Sequence, residues 1–308
     1  MGLMMKNVKT LALAATAVAA MSGNAYAADR SDLHASDYKW MQFNAMYSID
    51  EHPIAAGSDA EHNYLEMEFG GRSGIVDLYG YVDVFNLANS KSGDKVDGAS
   101  KMFMKFAPRF SIDAMTGWDL SAGPIQEVYF STLFNWGGGA ITGVYDAKDP
   151  DGKDVKVETE GDTNVSFWGI GADVMVPWLG KTGMNLYATY DFNKKDWNGY
   201  QFSMNWFKPF YFFDNKSFLS FQGYVDWQFD MDVDPNNFNA FTGKNNNSSH
   251  GGNVFLGLYW HSDRYAVGYG AKYYNRVYGL NNQAFANEFW GGLDTTGWGH
   301  YFSATYKF

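Results

Sequence analysis

Apolar and polar residues alternate along most of the chain with a period of two. In the segment from Leu219 to Phe229, one face carries Leu219, Phe221, Gly223, Val225, Trp227 and Phe229, and the other carries Ser220, Gln222, Tyr224, Asp226 and Gln228. Because residues two apart in a strand point to the same side of a sheet, each such segment predicts a strand with one apolar and one wet face.

The same pattern predicts twelve strands, near residues 39–49, 62–71, 74–87, 101–111, 122–136, 163–176, 183–192, 199–212, 217–230, 252–261, 264–279 and 297–308. Short turns, among them 71–74 and 177–182, alternate with longer polar segments, such as 135–162, 231–251 and 281–296. An even strand number returns both termini to the same side. We therefore expect an all-β fold, a transmembrane antiparallel β-barrel of about 12 strands with short periplasmic turns and longer extracellular loops.

The two ends of the chain predict export to an outer membrane. Residues 1–27 have the form of a cleaved signal peptide, with Lys6 and Lys9 before an apolar run at 11–20 and an Ala-Tyr-Ala site at 25–27. This run is too short to span a bilayer, so residues 28–308 are expected to form a single barrel domain. The last strand ends in Phe308 after alternating apolar residues, which is the form of a signal for the barrel-assembly machinery. Outer-membrane lipids and lipopolysaccharide are the expected surroundings.

Composition supports this interpretation and excludes some partners. Aromatic residues make up 19% of the chain, which suits the girdles and lumen of a barrel, and proline, which weakens strand ladders, occurs only 7 times. The net charge of −11 becomes −13 when the two leader lysines are removed, which argues against nucleic acid as a partner. The sequence indicates no cofactor.

The residues that point inward on the twelve predicted strands are mostly polar, and together they predict a polar lumen. Its acids are Glu66, Glu68, Asp77, Asp83, Glu127, Asp191 and Asp226, its bases are Lys105, Arg109 and Lys272, and its rings are Tyr79, Tyr81, Tyr129, Tyr187 and Tyr224. Tyrosine faces and opposed charges suit a flat, hydrogen-bonding solute. In the alternative interpretation, these acids and bases pair with one another and fill a narrow barrel.

Two kinds of chemistry are disfavoured by the sequence. The six histidines form no HExxH motif and the chain has no GxSxG motif, so we expect no catalytic residues and no enzyme. Asp149, Asp151, Gly152 and Glu158 match positions three, five, six and twelve of a calcium loop. The first position of that loop, where an acid is required, is Ala147. A solvated acidic loop is therefore favoured, and no metal site is expected.

Several segments resemble the nucleoside-specific channel-forming (Tsx-like) outer-membrane porins, and most of all the OmpK branch of that family. The most specific is Pro108-Arg109-Phe110-Ser111-Ile112-Asp113, continued by Thr116, Asp119-Leu120-Ser121, Gly123-Pro124, Glu127 and Tyr129-Phe130. Further support comes from 64–68, 77–83 and 296–299. Together these segments extend, in order, over nearly the whole mature chain.

The resemblance implies a monomeric channel for facilitated diffusion of nucleosides or similar small polar solutes, with loops that phages or bacteriocins use for attachment. The residues that match and also point inward are the expected substrate-binding residues of the lumen: Glu66, Glu68, Asp77, Tyr79, Tyr81, Asp83, Arg109 and Glu127. Lys105 stands where the family pattern leads us to expect an acid, which leaves selectivity open. The alternative function is a structural or surface-recognition barrel that transports little and whose loops act in adhesion or phage attachment.

Overall fold

A computed structural model describes residues 32–57, 60–85, 87, 101–138, 143–148, 154–159, 162–288 and 291–308. The predicted signal peptide at 1–27 and the first half of the calcium-loop segment, at 149–153, lie outside these residues. Over the described ranges no helix is long and apolar enough to cross a membrane.

Twelve of the described strands form one closed antiparallel barrel. They are β1 (Tyr38–Ile49), β2 (Glu61–Ser73), β3 (Val76–Phe85), β4 (Met102–Ser111), β5 (Ile125–Gly137), β6 (Thr163–Val176), β7 (Gly180–Asp191), β8 (Asp196–Phe212), β9 (Phe218–Phe229), β10 (Gly251–His261), β11 (Tyr265–Asn275) and β12 (Gly297–Lys307). Each strand pairs with the next, and β12 pairs with β1 to close the barrel. The predicted fold class and strand number are confirmed.

Several strand boundaries differ from the sequence prediction by a few residues. β11 ends at Asn275 and not at residue 279, because Arg276 adopts a left-handed backbone with φ 47° and a 3₁₀ turn follows at Val277–Gly279. β7 begins at Gly180 rather than at 183. β2 continues through Gly71 to Ser73, where a turn was predicted, because Gly71 lets the backbone of Tyr38 approach closely.

The two ends of the barrel differ in their connections. The short-turn end holds both described termini and a helix, α1 (Ile112–Thr116), whose first turn is capped by Ser111, which accepts from the backbone N–H of Ala114 at 3.0 Å. The long-loop end carries the connections at 50–60, 86–101, 138–162, 230–250 and 276–296. This asymmetry is the one predicted from the sequence.

Three connections of the long-loop end are bonded to one another into a structure that we call the loop cap (described residues of 50–60, 230–250 and 276–296). Ile54–Ala55 pairs with Leu293–Asp294 as a small sheet. The Asn281 side chain donates to the carbonyls of Asn245 at 2.9 Å and Asn247 at 2.8 Å. Segments predicted only as long and polar therefore contain short strands and hydrogen bonds to one another. Another loop, at 138–162, contains the hairpin Gly143–Lys148 with Asp154–Thr159.

The outer wall is apolar and the inner wall is polar, as the alternation predicted. Outward positions in the middle of the strands expose large apolar side chains, among them Phe130, Ile170, Leu186, Leu256, Leu258, Val267 and Phe302. Ion pairs join inward residues of strands that are not neighbours, for example Lys105 on β4 and Asp226 on β9. Such contacts across the interior show that these side chains point into the lumen.

Candidate functional site

The lumen near the short-turn end holds a group of paired charges that we call the paired layer (Arg72, Asp77, Arg109, Glu127, Tyr129, Asp173 and Lys181). Arg72 donates from its two terminal nitrogens to the two carboxylate oxygens of Glu127, each at 2.7 Å. The hydroxyl of Tyr129 lies 2.7 Å from Glu127 Oε2 and 3.1 Å from Asp173 Oδ2. The Arg72–Glu127 pair is therefore linked through Tyr129 to a second group of charges.

Asp173 is the centre of this second group. It accepts from Arg109 at 3.0 Å and forms an ion pair with Lys181 at 2.7 Å. Arg109 also donates to Asp77, from Nε at 3.1 Å and Nη2 at 3.0 Å, and its guanidinium lies 4.1 Å above the Tyr129 ring. Arg72, Glu127, Tyr129 and Asp173 are all buried. Three of the predicted lumen residues, Asp77, Arg109 and Glu127, thus belong to a network in which each charge has an opposite charge beside it.

The other five predicted residues lie further towards the long-loop end, on β2 and β3. Glu66 and Asp83 are direct partners in the sheet, and so are Glu68 and Tyr81. Tyr79 donates to Glu68 Oε1 at 2.9 Å and is 37% exposed although it points inward. This exposed ring indicates open space in the middle of the lumen.

Amide side chains of β1 complete this wall. The Gln42 side chain donates to Glu68 at 2.6 Å, and that of Asn44 donates to Glu66 and, at 3.2 Å, to Glu68. We call this group the carboxylate wall (Gln42, Asn44, Glu66, Glu68, Tyr79, Tyr81 and Asp83). In contrast to the paired layer, Glu66 and Glu68 are held by neutral partners.

The part of the lumen wall on β9 to β12, which continues from β1 around the barrel, is lined by rings. Tyr224 stacks on Phe255 with centroids 5.6 Å apart, and Phe255 meets Tyr301 edge to face at 5.9 Å. The Lys272 ammonium lies 4.7 Å from the centre of the Tyr274 ring. A Cβ on Gly270 would lie 2.2 Å from the Phe255 ring, so this glycine lets the ring lie flat against the wall and keeps the lumen wider.

Two inward residues named from the sequence do not reach a solute path. Asp191 lies at the tip of the β7–β8 hairpin, where its Oδ1 accepts from the backbone N–H groups of Asn193 and Lys194. Tyr187 is buried against Leu133 and Phe167 in a small apolar cluster. Lys105, in contrast, lies in the middle of the lumen, 3.3 Å from Asp226, so its charge is neutralised.

Three charged members of the paired layer, Arg72, Asp173 and Lys181, were not predicted from the sequence. Asp173 follows the inward alternation of β6 and was visible in the pattern. Arg72 and Lys181 were missed because residues 71–74 and 177–182 were predicted to be turns, whereas Arg72 belongs to β2 and Lys181 to β7. Within the described chain, no cluster of His, Asp and Glu is arranged to hold a metal ion.

Comparisons with known proteins identify the family. The family model described as "Nucleoside-specific channel-forming protein, Tsx" matches residues 35–308. The outer membrane protein OmpK of Vibrio parahaemolyticus is 54% identical over 299 residues, which cover 96% of this chain and 98% of that protein. The nucleoside-specific channel-forming protein Tsx of Salmonella typhimurium is 30% identical over 260 residues, 80% of each chain.

A solved structure, the high-pH form of Pseudomonas putida OprB, has a TM-score of 0.37 and 10% identity, covering 88% of this chain and 93% of that chain. The Tsx protein of Escherichia coli O157:H7 is 30% identical over 320 residues, with 97% of this chain and 99% of that protein covered. This protein is an outer-membrane β-barrel, and it belongs to the Tsx family of channel-forming proteins.

Proposed function

We propose that this barrel lets nucleosides or similar small polar solutes diffuse across the outer membrane. The observation that carries the proposal is an inner wall that combines tyrosine faces with hydrogen-bond acceptors that have no partner. The ring of Tyr79 is 37% exposed inside the barrel, and Tyr81 lies beside it with ring centres 6.2 Å apart. Such faces stack on flat solutes with little selectivity for their edges.

The hydrogen-bond acceptors distinguish flat solutes by the donor groups at the edges of their rings. Among the amide and carboxyl side chains that point inward from the described strands, five have a buried oxygen without a hydrogen-bond partner: Asn44, Asp83, Asn135, Asn185 and Asn253. Buried acceptors without partners are unfavourable unless water or a ligand donates to them. A nucleoside brings sugar hydroxyl groups and, on some bases, an amino group, and all of these can donate.

The spacing of these groups suits passage rather than retention. The acceptors lie on β1, β3, β5, β7 and β10, so they are spread around and along the lumen. A solute crosses a channel only if each binding site is favourable enough for the solute to enter and weak enough for it to leave again. Several weak sites in series meet this requirement, whereas one deep pocket would trap the solute.

The test is single-channel conductance of the refolded protein in a planar bilayer, with nucleosides added to one side. Concentration-dependent block by uridine or adenosine, and none by sugars of similar size, is the expected result. Tyr79→Ala and Tyr81→Ala should raise the half-blocking concentration about tenfold each, because stacking of one base contributes about 1–3 kcal/mol. Tyr200→Ala is the matched control, since Tyr200 is exposed and stacks on Phe229 of the outer wall.

Three other outcomes would contradict this function. Open current without block would indicate a general small-solute pore. Equal effects of Tyr79→Ala and Tyr200→Ala would show that the solute does not contact the predicted wall. No current at all would favour the surface barrel, in which the paired layer closes the lumen and the loop cap is the functional part.

A further inference from the structure

The three carboxyl groups of the carboxylate wall lack a basic partner. Within the described residues, no lysine, arginine or histidine nitrogen lies within 4.0 Å of Glu66, Glu68 or Asp83, whereas every acid of the paired layer has one. Lys105 is paired with Asp226, and Lys272 lies among tyrosine rings. The wall therefore has three carboxyl groups that no basic side chain of the described residues neutralises.

Neighbouring polar atoms in this wall also lack a donor. Asn44 is 5% exposed and Asp83 is 8% exposed, and Asn44 Oδ1 and Asp83 Oδ1 have no hydrogen-bond partner in the described structure. The Asn44 amide lies within the wall, because its nitrogen donates to Glu66 and Glu68. Glu66 and Asp83 face each other across β2 and β3, and two carboxyl groups so placed need either a shared proton or a cation between them. A ligand that brings several N–H donors and a positive charge can replace this proton and bond to both free oxygens.

Aromatic rings at the same place favour an organic cation over a metal ion. Tyr79 and Tyr81 border the carboxyl groups, and the ring of Tyr79 is accessible from the lumen. Aromatic faces attract ammonium groups, and carboxylates bond to them directly. The described residues contain no cluster arranged as a metal site.

We infer that the carboxylate wall binds the ammonium group of small organic cations, so that the channel prefers amine-bearing solutes to neutral ones of the same shape. This inference rests on the proposed channel function and names the substrate class of the same lumen. The ammonium lies beside Glu66, Glu68 and Asp83, and its three N–H groups donate to Glu66, to Asp83 and to Asn44 Oδ1. The flat part of the solute lies against Tyr79 and Tyr81.

Three adenosine compounds that differ only at the 5′ position test the inference. They are adenosine, 5′-amino-5′-deoxyadenosine, which carries an ammonium at neutral pH, and adenosine 5′-monophosphate, which is an anion. In the wild-type channel we expect the amine to block at a concentration about tenfold lower than adenosine, since hydrogen bonds to charged groups contribute about 1.5–3 kcal/mol. The monophosphate should block least.

The decisive quantity is the ratio of the half-blocking concentrations of adenosine and the amine, measured in each variant. Glu66→Gln and Asp83→Asn keep side-chain shape and should bring this ratio close to one. Glu61→Gln is the matched control. Glu61 lies on β2, as Glu66 does, but it is exposed and accepts a hydrogen bond from the Tyr47 hydroxyl at 2.6 Å, away from the wall. Its ratio should remain that of the wild type.

The outcomes separate this inference from the proposed function. Block by adenosine with a ratio near one in the wild-type channel would overturn the cation preference and leave the nucleoside function standing. Block by the amine alone, lost in Glu66→Gln, would support the cation preference and contradict nucleoside passage. Absence of block by all three compounds would overturn both. A ratio that survives in both wall variants would place the ammonium elsewhere.

Discussion

Arg72 and Glu127 form a two-pronged ion pair across the interior of the barrel, with both nitrogen–oxygen distances at 2.7 Å. The two residues lie on β2 and β5, which do not neighbour each other in the sheet. Both side chains are almost completely buried, with 6% and 3% of their surfaces exposed. The pair therefore ties one side of the barrel to another where the backbone ladder cannot.

Glu127→Gln should destabilise the folded barrel by about 3 kcal/mol, because removal of one partner leaves a buried guanidinium without its counter-charge. Urea unfolding in detergent micelles measures the loss. The double replacement Arg72→Met with Glu127→Leu removes both charges and should recover most of it. Equal stability of Glu127→Gln and the wild type would show that the pair contributes nothing.

Asp226→Asn should reduce the preference of the channel for cations. The replacement leaves the Lys105 ammonium, now 3.3 Å from Asp226 Oδ2, without its counter-charge in the lumen. One unit charge in water-like surroundings is worth about 0.5–1 kcal/mol, so the ratio of potassium to chloride permeability should fall about two- to fivefold. The reversal potential in a potassium chloride gradient gives this ratio, and Lys105→Met should change it in the opposite direction.

Gly270→Ala should narrow the lumen. The added methyl group would lie 2.2 Å from the Phe255 ring, which must then swing away from the wall. Single-channel conductance should fall, and overpacking should cost about 1–3 kcal/mol of stability. Adding Phe255→Leu to Gly270→Ala removes the displaced ring and should restore conductance, whereas failure to restore it would mean that the ring does not limit the current.

The strands could be predicted from the sequence because alternation reports directly which face meets lipid. The segment predicted at 217–230 is β9, Phe218–Phe229, with the same residues inward. Glycine residues were a less reliable sign of where strands end, because glycine occurs both in turns and where two strands approach each other closely. At Gly71 a Cβ would lie 2.4 Å from the carbonyl oxygen of Tyr38, so the residue allows two strands to approach and does not mark a turn.

The pairing of lumen charges could not be predicted in the same way. Alternation placed Asp77, Arg109 and Glu127 inside, but their partners depend on which strands face each other across the closed barrel. Arg109 meets Asp77 on the neighbouring β3 and Asp173 on the distant β6. A distance across the lumen follows from strand tilt and closure, which no local pattern contains.

The pKa of the His34 imidazole is raised above its ordinary value by a hydrogen bond from its ring to Asp37, at 2.8 Å. The same bond lowers the pKa of the Asp37 carboxyl, which also accepts from the backbone N–H of Gly74 at 2.8 Å. Because the pKa of His34 is raised and that of Asp37 is lowered in the folded state, this contact stabilises the short-turn end fully between the ordinary pKa values of aspartate and histidine. Its contribution is lost as the pH rises through the raised pKa of His34 or falls through the lowered pKa of Asp37.

Asp37→Asn should therefore lower the pKa of His34, as measured by NMR titration of its ring protons. Asp32→Asn is the control. Asp32 contributes the smallest of the effects on this pKa, so the replacement should lower it less. Equal shifts in the two variants would show that overall charge, and not the bond to Asp37, sets the value.

Asn281→Ala should loosen the loop cap. The Asn281 side chain donates to the carbonyls of Asn245 and Asn247, and together these bonds contribute about 2 kcal/mol to local stability. Amide hydrogens of residues 244–248 should then exchange with solvent at least about tenfold faster, since opening of the loop costs less. Hydrogen–deuterium exchange followed by mass spectrometry measures the rate on the folded barrel.

A change at the other end of the barrel separates this local effect from a loss of global stability. Asn215 accepts at 3.1 Å from the backbone N–H of Ser217 in the turn between β8 and β9, so Asn215→Ala removes a similar bond far from the loop cap. Exchange at 244–248 should not change in this variant. Slow exchange in Asn281→Ala would mean that the hairpin Phe238–Asn239 with Lys244–Asn245 holds its shape without the neighbouring loop. In that case the three loops would open independently, because the bonds between them would not be what keeps each one closed.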